Sequence, residues 1–134
     1  MRKISKKIAT FVAAIATTAC IAVSSSAYSD MGDSVHYTVK NTSTTWDNKN
    51  STYAWNLNAS EDCKFYGDVS SGCVASFKLY QWTLGEVEVS KADNVVSYFA
   101  KYIYANKVPV DDYFTRVTYN SGGTINGDVT FEKY

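Results

Sequence analysis

Residues 63–82, with the sequence CKFYGDVSSGCVASFKLYQW, decide how the rest of the chain is interpreted. Apolar and polar side chains alternate on both sides of a Ser-Ser-Gly turn, with Phe65 before it and Phe77 and Leu79 after it. A period of two is typical of β-strands with one buried face, and aromatic and β-branched residues favour that pleated surface. The segment therefore predicts two strands separated by a short turn.

The same alternation recurs over the rest of the chain, between turn-type sequences at 84–85, 92–94 and 120–123, the last of them a hairpin signal. About eight strands are predicted, near 35–40, 53–58, 63–68, 73–83, 86–91, 95–104, 113–119 and 124–133. The segment 95–104 also fits a short helix, although its composition favours a strand, and the polar segment 41–52 is predicted as a loop. The fold class expected is all-β, a two-sheet antiparallel β-sandwich of jelly-roll or immunoglobulin-like type.

The N-terminus has the three parts of a secretory signal peptide over residues 1–27. An apolar run at 8–23 is followed by small residues up to Ala27, and the basic residues before it are Arg2, Lys3, Lys6 and Lys7. We predict cleavage after Ala27 and secretion, from a signal of bacterial appearance. Two alternatives stay open: the run is retained as a membrane anchor, or the chain is a lipoprotein anchored at Cys20.

Cleavage would leave residues 28–134 as a single secreted domain. This part holds nine basic and thirteen acidic residues, a net charge of −4. A mildly acidic domain lacks the electrostatic footprint that nucleic acids or anionic lipids require. We therefore expect no nucleic-acid partner, and no membrane association once the signal peptide is removed.

Only two cysteines, Cys63 and Cys73, follow Ala27. In an exported protein such a pair is expected first to form a disulfide bond. Both cysteines share the parity of core-facing neighbours, which favours a buried bridge. Two buried free thiols are the alternative, because a tight turn at 71–72 would place Cys73 opposite Asp68 and away from Cys63.

Three short stretches of the C-terminal half carry a family resemblance: FKLY at 77–80, DYFTRVT at 112–118 and GDVTF at 127–131, joined by Ser-Ser-Gly and Gly-rich turns. With the stretches in this order, the chain resembles bacterial pre-peptidase C-terminal domains and related carbohydrate-binding-like sandwiches. The resemblance covers about 70 residues and rests on the general strand-and-turn pattern of a sandwich. The resemblance implies an accessory or binding role. It transfers no site residue to this chain.

Residues suited to catalysis are few. His36 is the single histidine and falls on the polar face of the first strand. Glu86 and Glu88 share one strand face at roughly 7 Å, near the separation used by glycosidases, but that face is expected to be solvated. We therefore predict no catalytic residue and no enzymatic activity.

Oxygen-rich clusters are the one hint of a cofactor. Carboxylates and amides in loops are the ligands that Ca²⁺ prefers. Asp111 and Asp112 form the best candidate calcium pair, although no complete loop motif surrounds them. No other cofactor is expected.

Aromatic residues are unusually abundant, with eleven tyrosines and three tryptophans, all after residue 27. By alternation Tyr66, Tyr80 and Trp82 face outward, and Trp46 lies in a polar segment. The residues Tyr98, Tyr102 and Tyr104 also share one strand face. Exposed Tyr and Trp side chains are typical of surfaces that stack on sugars or anchor protein interfaces.

These observations predict a small exported, non-catalytic recognition module that binds an extracellular glycan or protein partner through an aromatic surface. Trp46, Tyr66, Tyr80 and Trp82 are the predicted ligand-binding residues. Two alternatives stay open: a secreted effector or antimicrobial-type polypeptide that acts on other cells, and an aromatic surface used for self-association.

Overall fold

The computed structural model describes residues 28–29, 31–49, 54–82 and 85–134. The predicted signal peptide, including Cys20, lies outside the described residues, as does its cleavage site. Within the described ranges, no helix is long and apolar enough to cross a membrane.

Ten strands and one 3₁₀ turn make up the described part of the chain. The strands are β1 (Tyr28–Ser29), β2 (Ser34–Val39), β3 (Thr45–Asp47), β4 (Ala54–Leu57), β5 (Cys63–Asp68), β6 (Val74–Gln81), β7 (Val87–Val95), β8 (Tyr98–Ile103), β9 (Asp111–Ser121) and β10 (Ile125–Lys133). The 3₁₀ turn covers Ala105–Lys107. The all-β prediction is confirmed. The segment 95–104 contains a strand, and the segment predicted as a loop at 41–52 contains β3.

The strands form two packed sheets. The larger sheet has the order β1-β4-β9-β6-β7, with β3 also paired to β9, and the smaller has the order β2-β10-β5-β8. All pairs are antiparallel except β1 with β4. The predicted β-sandwich is therefore confirmed, and each sheet has one face on the core and one outer face.

The core lies between the two sheets and follows the period of two. Phe77 from the larger sheet contacts two rings of the smaller sheet, Tyr37 at 5.5 Å and Phe99 at 4.6 Å between centroids. The Tyr37 hydroxyl reaches the end of β5 and donates to the Asp68 carbonyl oxygen at 2.6 Å. Burial raises the pKa of the Tyr37 hydroxyl, so it stays protonated and serves as a donor.

The prediction of a turn at 92–94 is wrong, because β7 continues through these residues to Val95. Between Ala92 and Val95 the pairing with β6 shifts register, and Asn94 takes a left-handed φ of 53°. Its backbone N–H donates to the Ser76 hydroxyl at 3.1 Å, and its side-chain oxygen accepts from Asn120 at 2.8 Å. The turn-type residue thus forms a β-bulge inside the strand.

The predicted Cys63–Cys73 disulfide is absent, and both cysteines are buried free thiols. Cys63 begins β5 in the smaller sheet, whereas Cys73 follows the connection that leads to β6 in the larger sheet. The six residues of β5 separate them by about 17 Å along the strand. Burial raises the pKa of the Cys63 thiol to about 11, so it is neutral at physiological pH.

The Gly-rich turn at 120–123 does not form the hairpin that its sequence suggests, because β9 and β10 belong to different sheets. It packs on another connection between the sheets, at 70–73. Gly122 has a φ of 105°, and a Cβ there would lie 2.8 Å from the Cα of Cys73. Two connections between sheets therefore meet at one end of the sandwich.

Candidate ligand-binding site

Tyr80 and Trp82 face outward from the larger sheet, but their rings cover another aromatic side chain. Tyr80 stacks on Phe114 at 5.2 Å between ring centroids, and Trp82 meets the same ring edge-on at 5.9 Å. Phe114 is fully buried although it points away from the core. We name Tyr80, Trp82 and Phe114 the Phe114 cluster. Much of the surface of the first two rings is thus used within the protein.

Charged side chains surround the Phe114 cluster. The Arg116 guanidinium lies 5.0 Å from the Tyr80 ring, and Lys49 Nζ lies 5.6 Å from the Phe114 ring. Glu86 joins both cations, at 2.7 Å to Lys49 and 3.1 Å to Arg116, and Asp47 lies 3.2 Å from Arg116. These two cations hold the pKa of the Glu86 carboxyl down at about 2. The cluster is therefore covered by an ion-pair network.

The low pKa of Glu86 predicts a pH-dependent contribution to stability. The pKa of this carboxyl is lowered in the folded protein from its ordinary value of 4.5 to about 2. Because the unfolded chain takes up this proton first, the Glu86 contribution is complete above pH 4.5 and is lost as the pH falls toward 2. We expect Glu86→Gln to be less stable than the native chain at pH 7 and equally stable at pH 2, as measured by urea unfolding.

Glu88→Gln is the matched control, since among the described residues Glu88 forms one ion pair, to Lys78 at 3.1 Å. It reports the general effect of removing one carboxylate from the same sheet. A gap between the native chain and Glu86→Gln that stays constant from pH 7 to pH 2 would contradict the prediction.

Trp46 is not an exposed loop residue. It lies on β3, pairs in register with Val117, and packs half-buried against the core, with its ring 5.9 Å from that of Tyr37. The predicted loop position of Trp46 is wrong, because a polar neighbourhood in sequence does not exclude a strand whose middle residue packs inward. Its role in ligand binding stays a prediction.

The structure does not bring the predicted calcium pair together. Adjacent residues on a strand point to opposite faces. Asp111 is buried and accepts from the Gln81 amide at 2.6 Å, whereas Asp112 accepts from the Asn56 amide at 2.7 Å. In the described part of the chain, no three His, Cys, Asp or Glu side chains are grouped to hold a metal ion.

His36 lies on the outer face of the smaller sheet. Its Nδ1 is 3.1 Å from Asp128, and both side chains are more than half exposed. No hydroxyl or thiol of a described residue is hydrogen-bonded to the imidazole. The arrangement thus lacks the nucleophile and the buried carboxylate of a catalytic triad.

Four tyrosines occupy the outer face of the smaller sheet, and we name this set the tyrosine face. The exposed fractions are 56% for Tyr98, 62% for Tyr102 and 78% for Tyr134, whereas Tyr66 is half-buried. Tyr66 lies 6.4 Å from Tyr98, and Tyr102 lies 5.0 Å from Tyr134, between ring centroids. Among the described residues, these rings contact no aromatic ring outside the set, and three of them are more than half exposed.

Lys64 and Glu132 lie among the tyrosines. They are directly paired across β5 and β10, and Lys64 is paired with Tyr102 across β5 and β8. Lys64 Nζ lies 4.6 Å from the Tyr66 ring and 5.7 Å from the Tyr102 ring. Glu132 accepts from the Tyr66 hydroxyl at 3.2 Å. Polar groups with fixed positions are thus built into the tyrosine face.

A shallow cleft continues the tyrosine face at the end of β8. Its volume is about 370 Å³, and its lining residues are Asp62, Cys63, Tyr102, Ile103, Tyr104 and Tyr134. Tyr104 follows the strand and is 75% exposed. Sequence analysis placed Tyr98, Tyr102 and Tyr104 on one strand face but missed Tyr134 and Lys64, which only the β10-β5-β8 order brings beside them.

No family model and no curated protein matches the chain. A pre-peptidase C-terminal domain of a collagenase from Bacillus anthracis shares its fold, with a TM-score of 0.56 at 8% identity over 79% of this chain and 93% of that one. A CBM4 structure has a TM-score of 0.49 at 10% identity, over 75% of this chain and 71% of that one. A CBM6 module of Cellvibrio mixtus lichenase 5A has a TM-score of 0.44 at 11% identity, over 79% of this chain and 74% of that one. The resemblance to pre-peptidase C-terminal domains is therefore confirmed as a likeness of fold.

Proposed function

We propose that this chain is an exported, non-catalytic recognition module that binds an extracellular glycan through the tyrosine face. One observation carries the proposal: four tyrosines lie side by side on one outer sheet surface, and three of them are more than half exposed. Flat aromatic surfaces of this kind suit the apolar faces of sugar rings.

The tyrosine face is a better candidate than the Phe114 cluster. Tyr80 and Trp82 are half-buried, and part of each ring packs against Phe114. Tyr98 and Tyr102, in contrast, have exposed fractions of 56% and 62%. Of the predicted binding residues, only Tyr66 therefore belongs to the proposed site.

The absence of a catalytic role is proposed from the state of the candidate groups in the described part of the chain. His36 is solvated and lies beside an equally solvated Asp128. Glu86 forms an ion pair with Arg116 of β9, and Glu88 forms one with Lys78 of β6, both on the larger sheet. A general acid needs a raised carboxyl pKa, and the ion pairs of Glu86 lower its pKa instead.

The test is co-sedimentation with insoluble polysaccharides and bacterial cell walls, using protein recovered after export of the full-length chain. The double variant Tyr98→Ala/Tyr102→Ala is expected to lose at least about tenfold in affinity, because two stacking rings are removed. Tyr80→Ala/Trp82→Ala removes two rings from the opposite sheet and is the matched control, expected to bind like the native chain. Circular dichroism verifies the fold of both.

Loss of binding in the Tyr80→Ala/Trp82→Ala control alone would place the site on the larger sheet and contradict the proposal. If no polysaccharide or wall preparation retains the native chain, glycan binding is excluded and the tyrosines instead serve a protein interface. N-terminal sequencing of the exported protein tests the predicted cut after Ala27 in the same preparation.

A further inference from the structure

Resting on the proposed function, we infer that the tyrosine face binds an uncharged glycan, and that Lys64 and Glu132 are the specificity-determining residues, donating to and accepting from neighbouring hydroxyl groups of one sugar.

Lys64 is a cation held in place by aromatic rings. Its Nζ lies within 6 Å of the centroids of Tyr66 and Tyr102, a distance at which the ring quadrupole attracts an ammonium group. In the described ranges no carboxylate forms an ion pair with Lys64. Its N–H donors are therefore fixed in position and remain available to a ligand.

Glu132 supplies the complementary acceptor. It is the direct cross-strand neighbour of Lys64, yet it bonds to the Tyr66 hydroxyl through Oε2, and no hydrogen bond to Oε1 is formed within the described residues. Side chains directly opposite each other on neighbouring strands have Cβ atoms about 5 Å apart. The Lys64 donor and the Glu132 acceptor are thus neighbours on the tyrosine face, beside Tyr102, where both can bond to hydroxyl groups of one sugar ring that stacks on Tyr102.

The charge of the same face argues against an acidic glycan. Asp68, Asp128 and Glu132 lie on the outer surface of β5 and β10 together with Lys64, and His36 lies beside Asp128. A uronate or sulfate group bound among these residues would lie close to three carboxylates. Like charges in close proximity disfavour such a complex, and an uncharged ligand meets no such repulsion.

Two single variants test the inference. Lys64→Met removes the donor and keeps an apolar side chain beside the rings, and Glu132→Gln removes the charge and keeps an acceptor for Tyr66. The matched control is Lys78→Met and Glu88→Gln, the same two changes in an ion pair of the larger sheet. The probes are cellulose, curdlan and chitin as uncharged polysaccharides, and polygalacturonate as an acidic one.

We expect the exported native chain to bind at least one uncharged polysaccharide, with an affinity that changes little between 50 and 500 mM salt (roughly, Debye lengths of 14 and 4 Å). Lys64→Met and Glu132→Gln should each weaken this binding about tenfold, as expected for a lost hydrogen bond to a charged group. The two control variants should bind like the native chain.

Three outcomes overturn the inference. Preference for polygalacturonate contradicts the assignment to an uncharged ligand. Unchanged binding by Lys64→Met and Glu132→Gln, together with loss in Tyr98→Ala/Tyr102→Ala, removes both residues from the site and leaves the proposed function intact. Failure of the native chain to bind any of the four polysaccharides overturns the inference and the proposed function together.

Discussion

Replacing Phe77 with alanine is expected to lower the free energy of unfolding by about 3–5 kcal/mol. The ring is fully buried and bridges the two sheets, with contacts to Tyr37 from β2 and Phe99 from β8. Its removal leaves a cavity between the two sheets. The loss of stability is therefore the sum of the lost transfer free energy of the ring and the cost of the cavity. Since domains of this size are typically stable by only about 5–15 kcal/mol, the variant should be close to unfolding.

Urea unfolding followed by circular dichroism measures this effect, with equal m-values as the sign that both proteins unfold from the same compact state. Val96→Ala is the control, because it is also a truncation to alanine but at a side chain that is 64% exposed. We expect the control to stay within about 0.5 kcal/mol of the native chain. A loss below about 1 kcal/mol for Phe77→Ala would mean that the two sheets do not meet at this ring.

The fold class could be predicted because burial alternates clearly in β2, β5 and β6. β5 begins and ends at the predicted residues, Cys63–Asp68, and β2 is displaced by a single residue. Turn chemistry was less reliable, because its outcome depends on partners far away in the chain. Asn94 has the left-handed backbone conformation that is common in turns. Its hydrogen bonds to Ser76 and Asn120 nevertheless keep it within a strand.

The aromatic surface could be predicted only in part, for a related reason. Alternation correctly places Tyr80 and Trp82 on an outer face, but it cannot reveal that Phe114, on a neighbouring strand, lies beneath their rings. Two aromatic residues in succession, Tyr113 and Phe114, were the available signal that both faces of β9 are covered. The alternation pattern likewise predicted correctly that Cys63 and Cys73 are buried, but it could not show whether they form a disulfide.

Replacing Gly127 with alanine is expected to cost about 3 kcal/mol, the upper end of the range for overpacking. An added Cβ at this position of β10 would overlap both the backbone oxygen and a carboxylate oxygen of Asp68. That backbone oxygen accepts the Tyr37 hydroxyl at 2.6 Å, and the carboxylate accepts the Asp128 N–H at 2.9 Å. The methyl group therefore displaces a backbone segment and breaks two hydrogen bonds, which flexible side chains could not compensate.

Gly123→Ala separates this steric effect from the general consequence of removing a glycine. No atom lies within 4 Å of a Cβ at Gly123, so that variant should remain within about 0.5 kcal/mol of the native chain or gain slightly from a less flexible unfolded state. Equal stability of the two variants in urea would contradict the close approach of β10 to Asp68. Because Asp68 is paired with Tyr98, Gly127→Ala should also shift one end of the tyrosine face and weaken polysaccharide binding, whereas Gly123→Ala should leave it unchanged.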